Sequence, residues 1–379
     1  MKRFKLLLLT LICTLAAQAQ YPDDGYYRVR SSVQKRYVRV IDNTGSVNVQ
    51  TTDADLGALC TQRSWDKVVS EPASIIYIKK IEDPNGYDLQ SQGTGSYEII
   101  QYAVKALPVG DGKYRCYAQK GSMVKYIADE KIIDYLATEE TRERGAVVTN
   151  IEDYESELRN WDLIPVNAES DNYFGLQPSI KVGNDYYQTF YASFPFTFAS
   201  AGMSSWYISK VNEGRGEAII EEVTGGVPAA TPVIIKSTVQ EAENNKLNVG
   251  ADATGSAPNN QLKGVYFCNP LDGDPQTNHY NAKVYDPTTM RVLGKASDGS
   301  LAFVKDVDLK YIPSNTAYIT VSASAPAVFK VVTPEEAAIQ SITVDSKSGN
   351  IYDLQGRKVT DNQLSRGVYI MNGRKYVVK

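Results

Sequence analysis

Short runs in which apolar and polar residues alternate make up most of the chain after its first 20 residues, and Gly, Asn, Asp or Pro interrupts them every few positions. Tyr27-Arg28-Val29-Arg30 and Ser46-Val47-Asn48-Val49-Gln50 show the pattern of half-buried strands, with the apolar set on one face. Later runs at Tyr186 to Phe198, Ala218 to Val223, Val233 to Ile235, Gly264 to Phe267 and Ala302 to Val304 are equally β-prone. The expected fold class is therefore all-β. Residues 129–150 depart from the pattern, setting Asp129, Glu130, Asp134, Glu139, Glu140 and Glu143 beside Arg142 and Arg144. They are expected to loop out as a charged insertion with at most one helical turn.

The N-terminus follows a different pattern. Lys2, Arg3 and Lys5 precede an apolar run from Leu6 to Ala17, and Ala17-Gln18-Ala19 supplies the small residues of a cleavage site. Residues 1–19 are expected to be a signal peptide, because so short a run falls below the roughly 20 residues of a membrane-spanning helix. Cys13 raises a lipoprotein alternative, against which Ile12 stands where a small residue is expected. The chain is thus expected to be exported, secreted or held at the cell surface, with no integral membrane span. Export gives Cys60, Cys116 and Cys268 two readings. One internal pair can form, Cys60 with Cys116, or all three can be buried small hydrophobes.

Internal similarity suggests an organisation. Three strings share a strand, turn, strand plan, beginning at Gly25, Ser74 and Gly112. Arg63-Ser64-Trp65-Asp66 also reads like Arg159-Asn160-Trp161-Asp162, 96 residues further on, which is twice 48. Three units of about 48 residues with four short strands each predict a β-trefoil-like domain over residues 21–166, in which Trp65 and Trp161 are core residues. These residues resemble the ricin-type β-trefoil lectins. In that family a sugar pocket joins an acidic residue, an aromatic platform and side-chain amides, and the resemblance implies such a pocket at Tyr87, Asp88, Gln90 and Gln92, after the Pro84-Asn85-Gly86 turn. A sugar needs an apolar face to stack on and planar amides or carboxylates for adjacent hydroxyls, and these four residue types supply both. The other reading is that they are ordinary turn and strand-surface polars.

Residues 171–335 are expected to form a β-sandwich. Val227-Pro228-Ala229-Ala230-Thr231-Pro232-Val233-Ile234 is matched 85 residues later by Ile312-Pro313-Ser314-Asn315-Thr316-Ala317-Tyr318-Ile319, each a proline-led turn feeding a strand. This stretch resembles a sandwich module of large secreted and surface proteins of Bacteroidota. Residues 240–260 and 271–281 are expected to be loops, and Thr333-Pro334-Glu335-Glu336 a linker. Strands at Ile351 to Leu354, Gly367 to Met371 and Lys375 to Val378, with Asn372-Gly373 as a hairpin turn, predict a small C-terminal β module over residues 341–379. Ile351-Tyr352-Asp353-Leu354, Gly356-Arg357-Lys358-Val359 and Gly367-Val368-Tyr369-Ile370 resemble the sorting domains of the type IX secretion route, which implies export machinery as a partner of this tail.

Composition narrows the chemistry. Forty Lys and Arg against 44 Asp and Glu give a net charge of -4, which argues against a nucleic-acid partner. The single histidine, His279, rules out motifs needing two imidazoles, and no C-x-x-C spacing occurs, so no metal site is expected. Asp272, Asp274, Asn278 and His279 lack the spacing of a calcium loop. No G-x-S-x-G elbow, G-x-x-x-x-G-K-[ST] loop or G-x-G-x-x-G fingerprint is present, so no catalytic residue and no cofactor are expected. A glycosidase, which needs only two placed carboxylates, stays open on composition alone. The 26 tyrosines against 9 phenylalanines favour surfaces that cover apolar area while keeping a hydroxyl. The expectation is a noncatalytic, exported binding protein recognising glycans through the trefoil-like domain. The alternatives are a protein-binding adhesin or inhibitor with an extracellular protein partner, and a structural surface protein.

Overall fold

The computed structural model describes residues 23–40, 60–63, 65–81, 86–90, 98–99, 102–120, 123–128, 147–149, 157–266, 283–338, 351–359, 366–371 and 374–378. Among these the molecule is all-β, with only short helical turns. No helix among them is long and apolar enough to cross a membrane. The expected signal peptide, most of the charged 129–150 segment, Gln92, Cys268 and His279 lie outside the described residues.

Eleven strands make the first sheet. They are β1 (Gly25–Ser31), β2 (Tyr37–Val40), β3 (Cys60–Arg63), β4 (Ile76–Ile81), β5 (Gly86–Gln90), β6 (Glu98–Ile99), β7 (Tyr102–Gly110), β8 (Lys113–Lys120), β9 (Met123–Ala128), β10 (Val147–Thr149) and β11 (Asn160–Pro165). β1 pairs with β4, β4 with β5, β5 with β7, β7 with β8, β8 with β11, and β11 returns to β1, so six strands close a barrel-like ring. Closure removes the sheet edges that would otherwise template association. Every ring strand contributes buried apolar residues, among them Val29, Ile78, Leu89, Ala106, Cys116 and Trp161. Two hairpins, β2 with β3 and β9 with β10, leave the ring.

The ring corrects the equal 48-residue period. Its strands group as 25–81, 86–110 and 113–165, three spans of unequal length, and the string from Ser74 covers the end of one span and the start of the next. The tryptophans do not occupy equivalent places either. Trp161 is fully buried on β11, whereas Trp65 opens a helical turn, Trp65–Val68, and is half-buried. A matching tetrapeptide can arise without matching backbone, because Trp-Asp is compatible with a strand and with the first turn of a helix.

Residues 174–332 form two further sheets. Their strands are β12 (Phe174–Gly175), β13 (Ile180–Val182), β14 (Asp185–Phe190), β15 (Phe196–Phe198), β16 (Met203–Asn212), β17 (Glu217–Glu222), β18 (Val233–Ser237), β19 (Lys246–Val249), β20 (Leu262–Val265), β21 (Met290–Lys295), β22 (Leu301–Val304), β23 (Thr316–Thr320) and β24 (Val328–Val332). Ten of them form one half-barrel in the order β13-β14-β18-β16-β17-β24-β22-β21-β23-β20, and β12-β19-β15 form a three-stranded sheet. The β17–β24 pair is parallel. Phe174, Phe190, Phe194, Phe196, Val233 and Leu247 pack in one apolar cluster, while Ile208, Ile234, Phe303, Ile319 and Phe329 pack in another.

Local departures from the expectations have clear causes. The aromatic run 186–198 breaks between β14 and β15, because Ala192 and Phe194 go into the core from irregular backbone around Pro195. Residues 246–249, expected in a loop, pair with β12 and β15. Thr333-Pro334-Glu335-Glu336 is not a free linker. Thr333 Oγ1 accepts from Glu336 N at 3.3 Å and Glu336 Oε2 accepts from Thr333 N at 2.9 Å, a reciprocal helix cap. The proline turns behave alike, since Ala230 and Asn315 adopt positive φ at 56° and 55° and lead into β18 and β23.

The first sheet and the second region are joined tightly. Arg28 on β1 is fully buried and donates to Ser74 Oγ and Asn172 Oδ1 at 3.0 Å, to Tyr173 O at 2.7 Å, and to Val68 O and Val69 O at 3.1 and 3.3 Å. Its guanidinium also lies 4.9 Å from the Trp65 ring centroid. Burial lowers its pKa to about 9, so it remains a cation at neutral pH. Ile75 packs into the cluster around Phe174 and Phe194, and Tyr26 packs edge-on against Phe194 at 6.0 Å.

At the C-terminus, β25 (Ile351–Tyr352), β26 (Lys358–Val359), β27 (Gly367–Met371) and β28 (Arg374–Val378) form a separate four-stranded sheet. Met371 pairs with Arg374, which leaves Asn372-Gly373 as the two-residue connection.

Candidate functional site

Tyr87, the expected stacking platform, is placed elsewhere by the structure. Its side chain is 1% exposed and meets Tyr114 edge-on with ring centroids 5.8 Å apart. The ring is committed to the core, so it offers no face to a ligand. Asp88 lies opposite Lys79 and Lys105 in the ladder, and Gln90 lies opposite Tyr77. The side chains of Asp88 and Gln90, and all of Gln92, lie outside the described residues. The expected Cys60–Cys116 pair cannot be followed for the same reason, since only the Cys116 side chain is described, buried on β8.

A cleft of about 560 Å3 opens instead where the β13–β14 hairpin lies beside β21 and β23, with residues 70–72 of the first region forming one wall. That volume falls within the roughly 300–1,000 Å3 typical of small-ligand sites. Gln188, Thr189 and Phe190 come from β14, Val292 and Leu293 from β21, and Pro313 to Ala317 from the second proline turn and the start of β23.

Short hydrogen bonds fix the floor of this cleft. Thr189 is 8% exposed and its Oγ1 accepts from Ala317 N at 3.0 Å, a side-chain link standing in for a ladder bond between β14 and β23. Asn315 is 6% exposed. Its Nδ2 donates to Tyr191 O at 3.0 Å and its carbonyl accepts from Tyr191 N at 3.0 Å, which holds the proline turn against the end of β14. The positive φ at Asn315 is one that Asn tolerates better than most residues. Asp306 uses Oδ1 to accept from Asp308 N at 3.0 Å and Leu309 N at 3.2 Å, so its carboxylate is held by its own turn.

The wall from the first region is held just as firmly. Glu71 O accepts from Ser74 Oγ at 2.8 Å and from Ser74 N at 3.0 Å. Ser74 Oγ in turn receives the Arg28 guanidinium. Ser70 Oγ, at the edge of this wall, is buried with no hydrogen-bond partner among the described residues.

Chemically, the cleft combines amides and hydroxyls from Gln188, Ser179, Ser314 and Thr316 with two carboxylates, Glu71 and Asp306. Ile180, Phe190, Leu293 and Leu309 add apolar surface. No Lys or Arg lines it among the described residues, nor does any group of three or more His, Cys, Asp or Glu among them stand ready for a metal ion. No protein-family model matches the chain, and no curated protein is similar to it in sequence. Of the cleft residues, Pro313 to Ala317 stood out in the sequence, as the second proline turn and the strand it feeds. Ser70, Glu71 and Gln188 become neighbours only through the packing of two regions more than 100 residues apart along the chain.

Proposed function

We propose that this protein is an exported, noncatalytic binding protein that recognises glycans, and that its ligand occupies the cleft between residues 70–72, the β13–β14 hairpin and β23. The lining of that cleft carries the reading. Amides and carboxylates present planar donors and acceptors suited to adjacent hydroxyls, and the aliphatic residues beside them suit the C–H faces of a sugar ring.

The first sheet supports the reading by analogy. A six-strand ring followed in chain order, with hairpins leaving it after β1 and after β8, is consistent with a β-trefoil-like plan and hence with the resemblance to ricin-type lectins. The half-barrel and its partner sheet are the counterpart of the sandwich-like module. Fold alone names no ligand, so the chemistry of the cleft is the stronger support. Export rests on the signal-like residues 1–19 and on the sorting-like tail, whose β25–β28 sheet forms an element of its own.

The test is binding of the full mature chain to a broad glycan array, with Gln188→Ala as the site variant. Gln188 lies half-buried on the cleft wall. Dose-dependent retention, weakened roughly three- to tenfold in the variant at unchanged melting temperature, is the expected result. A blank array from a folded chain would end the glycan reading and turn attention to an extracellular protein partner.

A further inference from the structure

The floor of the cleft is a seam of the half-barrel that stops short of closing. β14 and β23 are not neighbours in the order of the ten-stranded sheet, yet hydrogen bonds join them. Tyr191 N donates to Asn315 O at 3.0 Å, and Ala317 N donates to Thr189 Oγ1 at 3.0 Å. From the first bond to the second, the chain steps two residues back on one side and two forward on the other, which is the spacing of hydrogen-bonded pairs in an antiparallel ladder. At both steps a side chain stands where such a ladder has a backbone group. Asn315 Nδ2 donates to Tyr191 O at 3.0 Å, and the Thr189 hydroxyl receives Ala317 N. The φ of 55° at Asn315 takes that residue out of the extended backbone a ladder requires. Beyond this point the strands part, since Tyr187 pairs with Ile180 of β13 and Ile319 with Arg291 of β21. The fork between them is the cleft, with Ile180, Thr189, Val292 and Ala317 on its walls.

We infer that Thr189 is a positioning residue for the cleft: its hydroxyl, interposed between β14 and β23, fixes how far the seam stands open. A direct ladder would draw the two strands to about 4.7–4.9 Å and fill the fork. With no bridge at position 189, the seam would be tied only at Tyr191 and Asn315, and its walls would have to be ordered by the ligand at a cost in affinity. The inference rests on the glycan reading of this cleft and deepens it, because affinity then depends on a bond inside the wall.

The experiment compares Thr189→Ser, which keeps the hydroxyl, with Thr189→Val, which keeps the shape and loses the acceptor. Two readouts are taken on the full chain. One is amide hydrogen exchange at Ala317 against Tyr318 and Ile319 on the same strand, and the other is affinity for the glycan that the array retains most strongly. In Thr189→Val the Ala317 amide is expected to exchange roughly three- to tenfold faster while Tyr318 and Ile319 keep their protection, and binding is expected to weaken by a similar factor. Thr189→Ser is expected to stay within about twofold of wild type in both readouts. Side-chain packing alone predicts the opposite order, with serine the worse because it lacks a buried methyl. A valine variant with unchanged Ala317 exchange, or with faster exchange but wild-type affinity, would overturn the inference and leave glycan binding standing. A serine variant as impaired as valine would overturn it too. A folded chain that binds no sugar yet shows the expected exchange pattern would end the glycan reading and leave Thr189 as the residue that sets the seam.

Discussion

Arg28 takes a positive charge into the junction between the first sheet and the second region, and its hydrogen bonds go to neutral groups. Its donors meet Ser74, Asn172 and three backbone carbonyls, and the Trp65 and Phe174 rings lie alongside. A planar fork with five donors can serve three chain segments at once, and a lysine cannot. Arg28→Met is expected to cost about 3 kcal/mol, since the carbonyls of Val68, Val69 and Tyr173 would lose a charged donor in a buried setting. Arg28→Lys should recover little of that loss. Urea denaturation of the two variants is the check, and a lysine variant within about 0.5 kcal/mol of wild type would show that the fork geometry is unimportant. The period-two pattern of Tyr27-Arg28-Val29-Arg30 correctly separates two faces of β1, yet gives no hint of this role. Arg28 does lie off the apolar face, but another part of the chain covers it, and covering by a distant segment leaves no mark on local alternation.

At the level of elements, turns were more legible than pairings. The pairing of Gly367–Met371 with Arg374–Val378 and the two proline turns stand where the sequence puts them, because their demands are local. The half-barrel order of β14, β18, β16 and β17 was not legible, since strand neighbours are chosen by long-range packing. Gly264 on β20 shows how one such neighbour is accommodated. A Cβ there would lie 2.4 Å from the Tyr191 ring, which stacks on Tyr266 with centroids 4.2 Å apart. Tyr191 also exchanges two backbone-linked hydrogen bonds with Asn315 at the floor of the cleft. Gly264→Ala is therefore expected to displace Tyr191, cost about 1–3 kcal/mol and weaken the binding proposed for the cleft by several-fold. Calorimetric titration together with thermal melting measures both. A variant that melts lower but binds as wild type would mean that Asn315 keeps its place without Tyr191.

Across the whole molecule, the cleft exists only because two regions that could be drawn as separate domains share one interior. Ile75, from the first region, is 2% exposed within the cluster of Phe174, Phe194 and Val227, three residues away from the Pro72 wall. Gly175 N donates to Val69 O at 3.1 Å, so a backbone bond crosses the same junction. A contact surface that is apolar, hydrogen-bonded and contains a buried cation should couple the unfolding of its two sides, unlike the more polar interfaces of domains that move independently. Ile75→Ala removes buried apolar volume on one side and is expected to cost about 2–4 kcal/mol. If the regions are coupled, unfolding reported by Trp161 inside the ring and by Trp206 on β16 should shift together, each read in a chain where the other two tryptophans are replaced by Phe. Two separated transitions, with only the Trp161 signal moving, would show that the regions unfold independently. Binding would then require a docking step, and affinity for any ligand of the cleft would be reduced by the fraction of molecules with the wall undocked.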